Sequence, residues 1–256
     1  TKSPLAQLFV EEYDRSFFLT NKSKLGSTSI SSITVNESET RWERLENQCD
    51  IIKVVGDFQK NDTDSIVISL DYKLILPDAK FTGYGYSLKN EALLRNWYIT
   101  LSPIYNKKWR NYSNLNLNDN SIQAAEYKLK IKAPDGITVQ SNLKKNKSEN
   151  GVNYFSSKSN REVLVYFTQN NPFQILKINN DRTLLTNIFR YPGDEDHSID
   201  KAKRIDDFVT KAFDFRGENK FLIPVLVYDN NPFFGLNDLP KFLAPFNNSF
   251  LEEISF

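Results

Sequence analysis

Methionine is missing altogether from this chain, at position 1 and along all 256 residues. A chain of this length ordinarily carries several, so two readings stand. Either the chain is an internal piece of a longer precursor, or methionine positions have dropped out of it. On either reading the sequence is expected to be incomplete. A single cysteine, Cys49, excludes a disulfide within the chain, whatever its compartment. A single histidine, His197, together with that lone and distant cysteine, excludes a zinc set built from the usual nitrogen and sulfur ligands. It also leaves a Ser-His-Asp hydrolase only one candidate base, with no Gly-x-Ser-x-Gly strand–turn–helix to accompany it. Charge of one sign is not in excess: the net value is +1, so the totals point neither to nucleic acid nor to an anionic membrane as the main partner. No apolar run approaches the roughly 20 residues of a membrane-crossing helix, and no leader-like start is legible.

What is present reads as globular. Hydrophobic residues make up 39% and charged residues 25%, and the length suits one large or two ordinary domains. The chain opens on a predicted helix, with Ser3 as cap, Pro4 at the first helical position, and Leu5, Leu8, Phe9 and Glu12/Tyr13 at helical spacing. From Thr28 to about Phe167 the period changes to two. Ile66, Ile68, Leu70, Tyr72, Leu74 and Leu76 alternate with mostly polar neighbours and predict a strand over Ser65 to Pro77. Further strands are expected at Ser29–Val35, Arg41–Leu45, Asp50–Gly56, Ala125–Ala133, Gly136–Ser141, Val152–Ser156 and Glu162–Thr168, with Pro134-Asp135-Gly136 as a turn. This part predicts a mainly β domain with one buried face per sheet.

A connection is expected over Asn170 to Asn180, where Asn170-Asn171-Pro172 breaks the preceding strand. Beyond it the pattern alternates between α and β. Thr183–Phe189 reads as a strand, Ser198 caps a helix carrying Ile199 to Phe213 on one apolar face, and Gly217 ends it. Phe221–Tyr228 is nearly all apolar, as in a strand buried on both faces. The end is an Asn/Pro/Gly loop and a segment with the adjacent carboxylates Glu252 and Glu253.

Three other features invite chemistry. His197 follows Asp194-Glu195-Asp196, where carboxylates could raise its pKa for acid–base work. A solvated loop before a helix is the preferred reading, since acids suit a helix N-terminus. The run Asn114 to Asn120 suggests calcium ligands at alternate positions, but the required glycine and closing glutamate are lacking. Phe81, Tyr84, Tyr86, Trp97, Tyr98, Tyr105, Trp109 and Tyr112 form an aromatic cluster in sequence. It reads equally as a face for sugar or peptide and as the lining of a curved sheet.

At Thr1-Lys2-Ser3-Pro4-Leu5-Ala6, Phe81-Thr82-Gly83-Tyr84-Gly85, Trp97-Tyr98-Ile99-Thr100, Tyr112-Ser113-Asn114 and Asn231-Pro232-Phe233-Phe234-Gly235-Leu236-Asn237, the chain resembles Bacteroidetes proteins of the M1-type metallopeptidase or aminopeptidase-like (gluzincin-like) family. The run from Phe234 through Pro240 to Phe246 is the most specific part. The resemblance implies an antiparallel, saddle-like β-sandwich domain over 1–175 and the beginning of a thermolysin-like α/β domain over 176–256. It implies that Phe233, Phe234, Gly235, Leu236, Asn237 and Glu253 line a substrate cleft. An M1 enzyme holds zinc with H-E-x-x-H on one helix, because residues four apart face the same way and the intervening glutamate polarises a water. The corresponding positions here are Glu252, Glu253, Ile254, Ser255 and Phe256, so only the central glutamate remains. The resemblance thus implies no catalytic or metal residue within this chain, and no cofactor unless a zinc site lies outside it.

The functional expectation is a non-catalytic, peptidase-like scaffold that binds a peptide or protein partner at the periplasmic side or surface of a Gram-negative envelope, without nucleic acid and without a membrane-spanning segment. Two alternatives stay open: an active zinc aminopeptidase whose H-E-x-x-H lies beyond Phe256, and a structural subunit of an outer-membrane complex.

Overall fold

The computed structural model describes residues 4–11, 15–46, 48–56, 58, 65–87, 90–95, 97–110, 122–169, 174–178, 182–186 and 220–223. Two helices open the chain, α1 (Pro4–Glu11) and α2 (Ser16–Leu19). Strands follow in order: β1 (Ser27–Val35), β2 (Ser38–Glu39), β3 (Arg41–Leu45), β4 (Gln48–Val55), β5 (Ile68–Ile75), β6 (Gly85–Ser87), β7 (Glu91–Leu94), β8 (Ile104–Tyr105) and β9 (Lys108–Trp109). The later ones are β10 (Ala125–Lys132), β11 (Thr138–Ser141), β12 (Lys144–Glu149), β13 (Val152–Asn160), β14 (Val165–Thr168), β15 (Gln174–Ile178), β16 (Arg182–Thr186) and β17 (Lys220–Ile223). The described sheets are mostly antiparallel, and helices are few. Two compact units result, one from Thr1–Thr82 with Trp97–Gln123, the other from Gly83–Asn96 with Ala124–Phe256.

The first unit is organised by aromatic packing and by one long strand pair. Pro4 sets the first turn of α1, and Ala6 and Phe9, three apart, turn to the same buried side. Phe9 meets Phe17 of α2 at 5.3 Å between ring centroids, and Phe81 closes the group at 6.0 Å from Phe9 and 5.5 Å from Phe17. Tilted and edge-on rings at these spacings contribute beyond their buried area. Phe81 ends a 3-10 turn, Ala79–Phe81, which Asp78 caps by accepting from the Lys80 N–H at 3.1 Å. The sheet has order β2-β1-β5, with β1 paired to β5 from Ser27↔Ile75 to Val35↔Ile68. The register shifts between Ile30 and Ser32, where Ser31 donates to the Asp71 carbonyl at 2.9 Å and Ser32 to its carboxylate at 2.8 Å. The alternation expected of this strand is present: Ile68, Leu70, Tyr72 and Leu74 are half-buried, while Ser69, Asp71 and Lys73 are exposed. Burial pushes the Tyr72 hydroxyl above its ordinary pKa, partly offset by a hydrogen bond with the Ile99 backbone, which ties the segment after Trp97 to this strand.

In the second unit a four-stranded sheet has order β11-β14-β7-β6 and a three-stranded one has order β10-β13-β12. Leu93, Val139, Leu143, Phe155 and the run Val163 to Tyr166 are buried. In β10, Tyr127, Leu129 and Ile131 alternate with exposed Lys128, Lys130 and Lys132, as expected of a half-wet sheet. The outer strand on the other side, β12, is exposed throughout, and its Lys147 reaches 4.9 Å from the ring of Tyr154, which Lys130 approaches to 5.9 Å from the opposite strand. A third sheet runs β15-β16-β17, antiparallel between β15 and β16 and parallel between β16 and β17.

Most expected strands appear with their ends moved by a few residues, and Pro134-Asp135-Gly136 turns as expected, with Gly136 at φ +80. The expected connection over Asn170 to Asn180 is corrected: its residues 174–178 form β15, paired with β16 from Gln174↔Thr186 to Ile178↔Arg182. Ile175, Leu176 and Ile178 suit a strand. β12 has no apolar residue to announce it. Its signal is the turn: Asn150 and Gly151, at φ +50 and +74, join the pair Glu149↔Val152 as a two-residue hairpin that requires positive φ at both centres. Asn36-Glu37 and Asn106-Lys107 make the same kind of turn after β1 and β8. The expected helix over 198–213 and the loop from Asn231 onward lie outside the described residues.

Three substitutions test this account by thermal or chemical denaturation. Phe81→Ala removes the ring that closes the buried trio and is expected to cost about 3 kcal/mol. Gly151→Val forces a β-branched residue to a left-handed φ and is expected to cost about 1–2 kcal/mol, while Asn150→Gly leaves the midpoint nearly unmoved.

Candidate functional site

The residues that the resemblance places along a cleft, Phe233, Phe234, Gly235, Leu236, Asn237 and Glu253, lie outside the described residues, as do Glu252, Phe256, His197 and the run Asn114–Asn120. The aromatic cluster is described in large part, and the structure sorts it into different settings. Phe81 is core, in the trio with Phe9 and Phe17. Trp97 and Tyr98 stack edge-on at 5.5 Å. Tyr84 and Tyr86 belong to the second unit, whereas Tyr105 and Trp109 stand exposed on the β8–β9 hairpin of the first. Tyr112 lies outside the described residues.

The most elaborate polar arrangement among the described residues centres on Arg95, a residue the sequence reading passed over. Arg95 follows the last residue of β7, and Tyr84 precedes the first of β6, so the β6–β7 pairing Gly85↔Leu93 brings them to neighbouring positions. The Arg95 Nη1 donates to the Tyr84 hydroxyl, and its guanidinium lies 5.2 Å from the Tyr84 ring centre. Nε donates to the Glu162 carboxylate at 2.9 Å, with both side chains less than a third exposed. Burial by itself would lower the Arg95 pKa, but Tyr84 and Glu162 more than offset it and hold the group charged.

Glu162 is fixed in turn by its own backbone. Asn142 Nδ2 donates to the Glu162 carbonyl at 3.1 Å while Asn142 Oδ1 accepts from the Leu164 N–H at 2.9 Å. Ser141 Oγ donates to the Leu164 carbonyl at 2.8 Å and accepts from the Leu143 N–H at 3.2 Å. One asparagine and one serine thus satisfy the Glu162 carbonyl and both backbone groups of the buried Leu164, just before β14. The chemistry available to this arrangement is positioning. The guanidinium already serves two acceptors, and the carboxylate is already paired. No signal of the usual kind marks it in sequence, since a lone arginine and a lone glutamate 67 residues apart carry no spacing rule.

Among the described residues no group of three or more His, Cys, Asp or Glu side chains could hold a metal ion, and no helix is long and apolar enough to cross a membrane.

No protein-family model matches the chain, and no curated protein does either. Solved structures similar to it include native leukotriene A4 hydrolase from Saccharomyces cerevisiae, 10% identical with a TM-score of 0.48, covering 82% of this chain and 32% of that one. They also include an M1 zinc metallopeptidase from Deinococcus radiodurans, 10% identical with a TM-score of 0.43, covering 78% of this chain and 46% of that one. The chain therefore spans about a third of the first protein's length and under half of the second's.

The Arg95 arrangement makes a direct prediction. Arg95→Ala is expected to cost about 1–3 kcal/mol, because it strands Glu162 beside a satisfied backbone. Arg95→Lys should recover little, since one ammonium lacks the planar fork that serves both Tyr84 and Glu162. A double-mutant cycle of Arg95→Ala with Glu162→Gln, read from denaturation midpoints, gives their coupling; a value near zero contradicts the reading.

Proposed function

We propose that this chain is the amino-terminal portion of an M1-type aminopeptidase-like protein that has no zinc chemistry and binds a peptide or protein partner. In this reading residues 1–175 make the saddle-like β domain and residues 176–256 open the thermolysin-like α/β domain. The cleft that such enzymes use for substrate becomes a groove for the partner, lined by Phe233, Phe234, Gly235, Leu236, Asn237 and Glu253. The place of work is the periplasmic side or surface of a Gram-negative envelope.

The observation that carries the proposal is in the sequence: Glu252 and Phe256 stand where the resemblance would put the two histidines of H-E-x-x-H. Phenylalanine has no donor for a metal, and one carboxylate in place of an imidazole does not restore a three-ligand set. The change of sheet character late in the chain supports the domain assignment. Antiparallel pairs dominate up to β16, and then β16 and β17 run parallel, from Thr183↔Lys220 to Thr186↔Ile223. A parallel pair needs a crossover of a dozen or more residues, and the intervening chain includes the helix expected over 198–213.

The full-length protein decides the matter by metal analysis and by turnover of aminoacyl substrates. Sub-stoichiometric zinc and no aminopeptidase turnover are expected. Stoichiometric zinc together with turnover would overturn the proposal in favour of an active enzyme.

A further inference from the structure

The β8–β9 hairpin has no core side. Every residue from Ile104 to Arg110 is exposed, although large apolar groups are among them: Ile104 at 54%, Tyr105 at 61% and Trp109 at 56%, with Leu101 just before at 70%. The pairing Ile104↔Trp109 sets those two side chains on one face, and Tyr105↔Lys108 sets the other. Arg110 lies 5.0 Å over the Tyr105 ring. The turn between the strands is Asn106-Lys107. A two-stranded hairpin is marginal alone, yet this one is braced. Arg110 N–H donates to the Pro103 carbonyl at 2.8 Å, and Ser102 Oγ donates to the Arg110 carbonyl. The chain therefore holds in place an element that shows water its tryptophan, tyrosine and isoleucine.

In sequence, charge along the hairpin and its flanks is of one sign. From Trp97 to Asn118 there is no aspartate or glutamate, whereas Lys107, Lys108 and Arg110 are cationic. The whole chain is balanced at +1, so this stretch is locally basic in a nearly neutral protein.

We propose that the β8–β9 hairpin is a contact for a lipid bilayer bearing anionic headgroups. The headgroup layer rewards all of these side chains together. Trp109 and Tyr105 place apolar rings toward the acyl boundary and polar tips in the wet layer, as aromatic residues do at membrane interfaces. Ile104 and Leu101 add apolar area. Lys107, Lys108 and Arg110 extend their stems so that the charged heads meet phosphate. A bilayer interface surrounds both faces of a hairpin, and both faces here carry large exposed rings, Trp109 on one and Tyr105 on the other. Lysine is moreover depleted at protein–protein contacts, while two of the three cations on this hairpin are lysines. The inference is independent of the peptidase-like reading, since it uses no residue of the proposed groove.

The test is partition of the full chain onto phosphatidylcholine vesicles with and without phosphatidylglycerol, at low and high salt. Binding is expected only with the anionic lipid and is expected to fall with salt. Lys107→Gln and Lys108→Gln should each weaken it about fivefold. Quenching of tryptophan emission by brominated lipid should vanish in Trp109→Phe while Trp42 and Trp97 remain. Circular dichroism melts of the variants, whose changed side chains are exposed, should match the parent. Absence of binding to anionic vesicles overturns the proposal. So does binding that neither lysine substitution weakens, or emission quenching that survives Trp109→Phe. Preference for an immobilised Glu-rich apolar peptide over anionic vesicles also overturns it, in favour of a protein partner.

Discussion

The second unit depends on how its most buried strand enters the sheet. β14 lies between β11 and β7, and Val165 and Tyr166 are wholly withdrawn from water. A strand this deep leaves its approach, Glu162 to Leu164, with amide groups that must find partners inside the protein. Ser141 and Asn142, at the end of the neighbouring strand, supply partners for the Glu162 carbonyl and for both Leu164 groups through their side chains. Arg95, at the end of the strand on the other side, holds Glu162 by its carboxylate. The polar groups of three chain segments are therefore committed to one another before any ligand is considered. A site built here would first have to break that set, which is why the arrangement reads as a fastening and not as a binding centre.

Much of the fold was legible wherever burial has a period. Ile68, Leu70, Tyr72 and Leu74 alternate because one side of β5 is covered, and Leu129 and Ile131 do so in β10 for the same reason. Pro4, Leu5, Leu8 and Phe9 told of a helix because a first-turn proline and an apolar stripe are properties of the helix itself. The strands that were missed either lack a covered side, as β12 does, or are too short to show a period, as β6 to β9 are. β15 was hidden by the asparagines and proline that precede it. The Asn150-Gly151 pair would have revealed β12, since backbone geometry at a two-residue turn is a stronger statement than side-chain polarity.

The functional reading was legible in a different way. It rests on a resemblance at Asn231 to Asn237 and on what stands at Glu252 and Phe256, and those positions lie outside the described residues. Arg95, Tyr84 and Glu162 were illegible because nothing local marks residues that meet only through sheet pairing. The aromatic cluster shows the same limit. Phe81, Tyr84 and Trp109 are near in sequence, yet one closes a core, one braces an arginine and one faces water. Sequence density reported their chemistry and not their assignment.

The three-stranded sheet β10-β13-β12 has its two outer strands dressed alike, with Lys128, Lys130 and Lys132 along one and Lys144, Lys145 and Lys147 along the other. Outer strands offer unpaired amide groups to any other strand that comes alongside, and lysine is a common means of refusing the offer. Two copies of this sheet meeting edge to edge would set lysine-rich edges together whichever edges met, even though Lys128 and Lys147 each pair with a glutamate of their own strand, Glu126 and Glu149. The refusal rests on the positive charge of these side chains, so acetylation, which removes that charge, would take the guard from both edges at once.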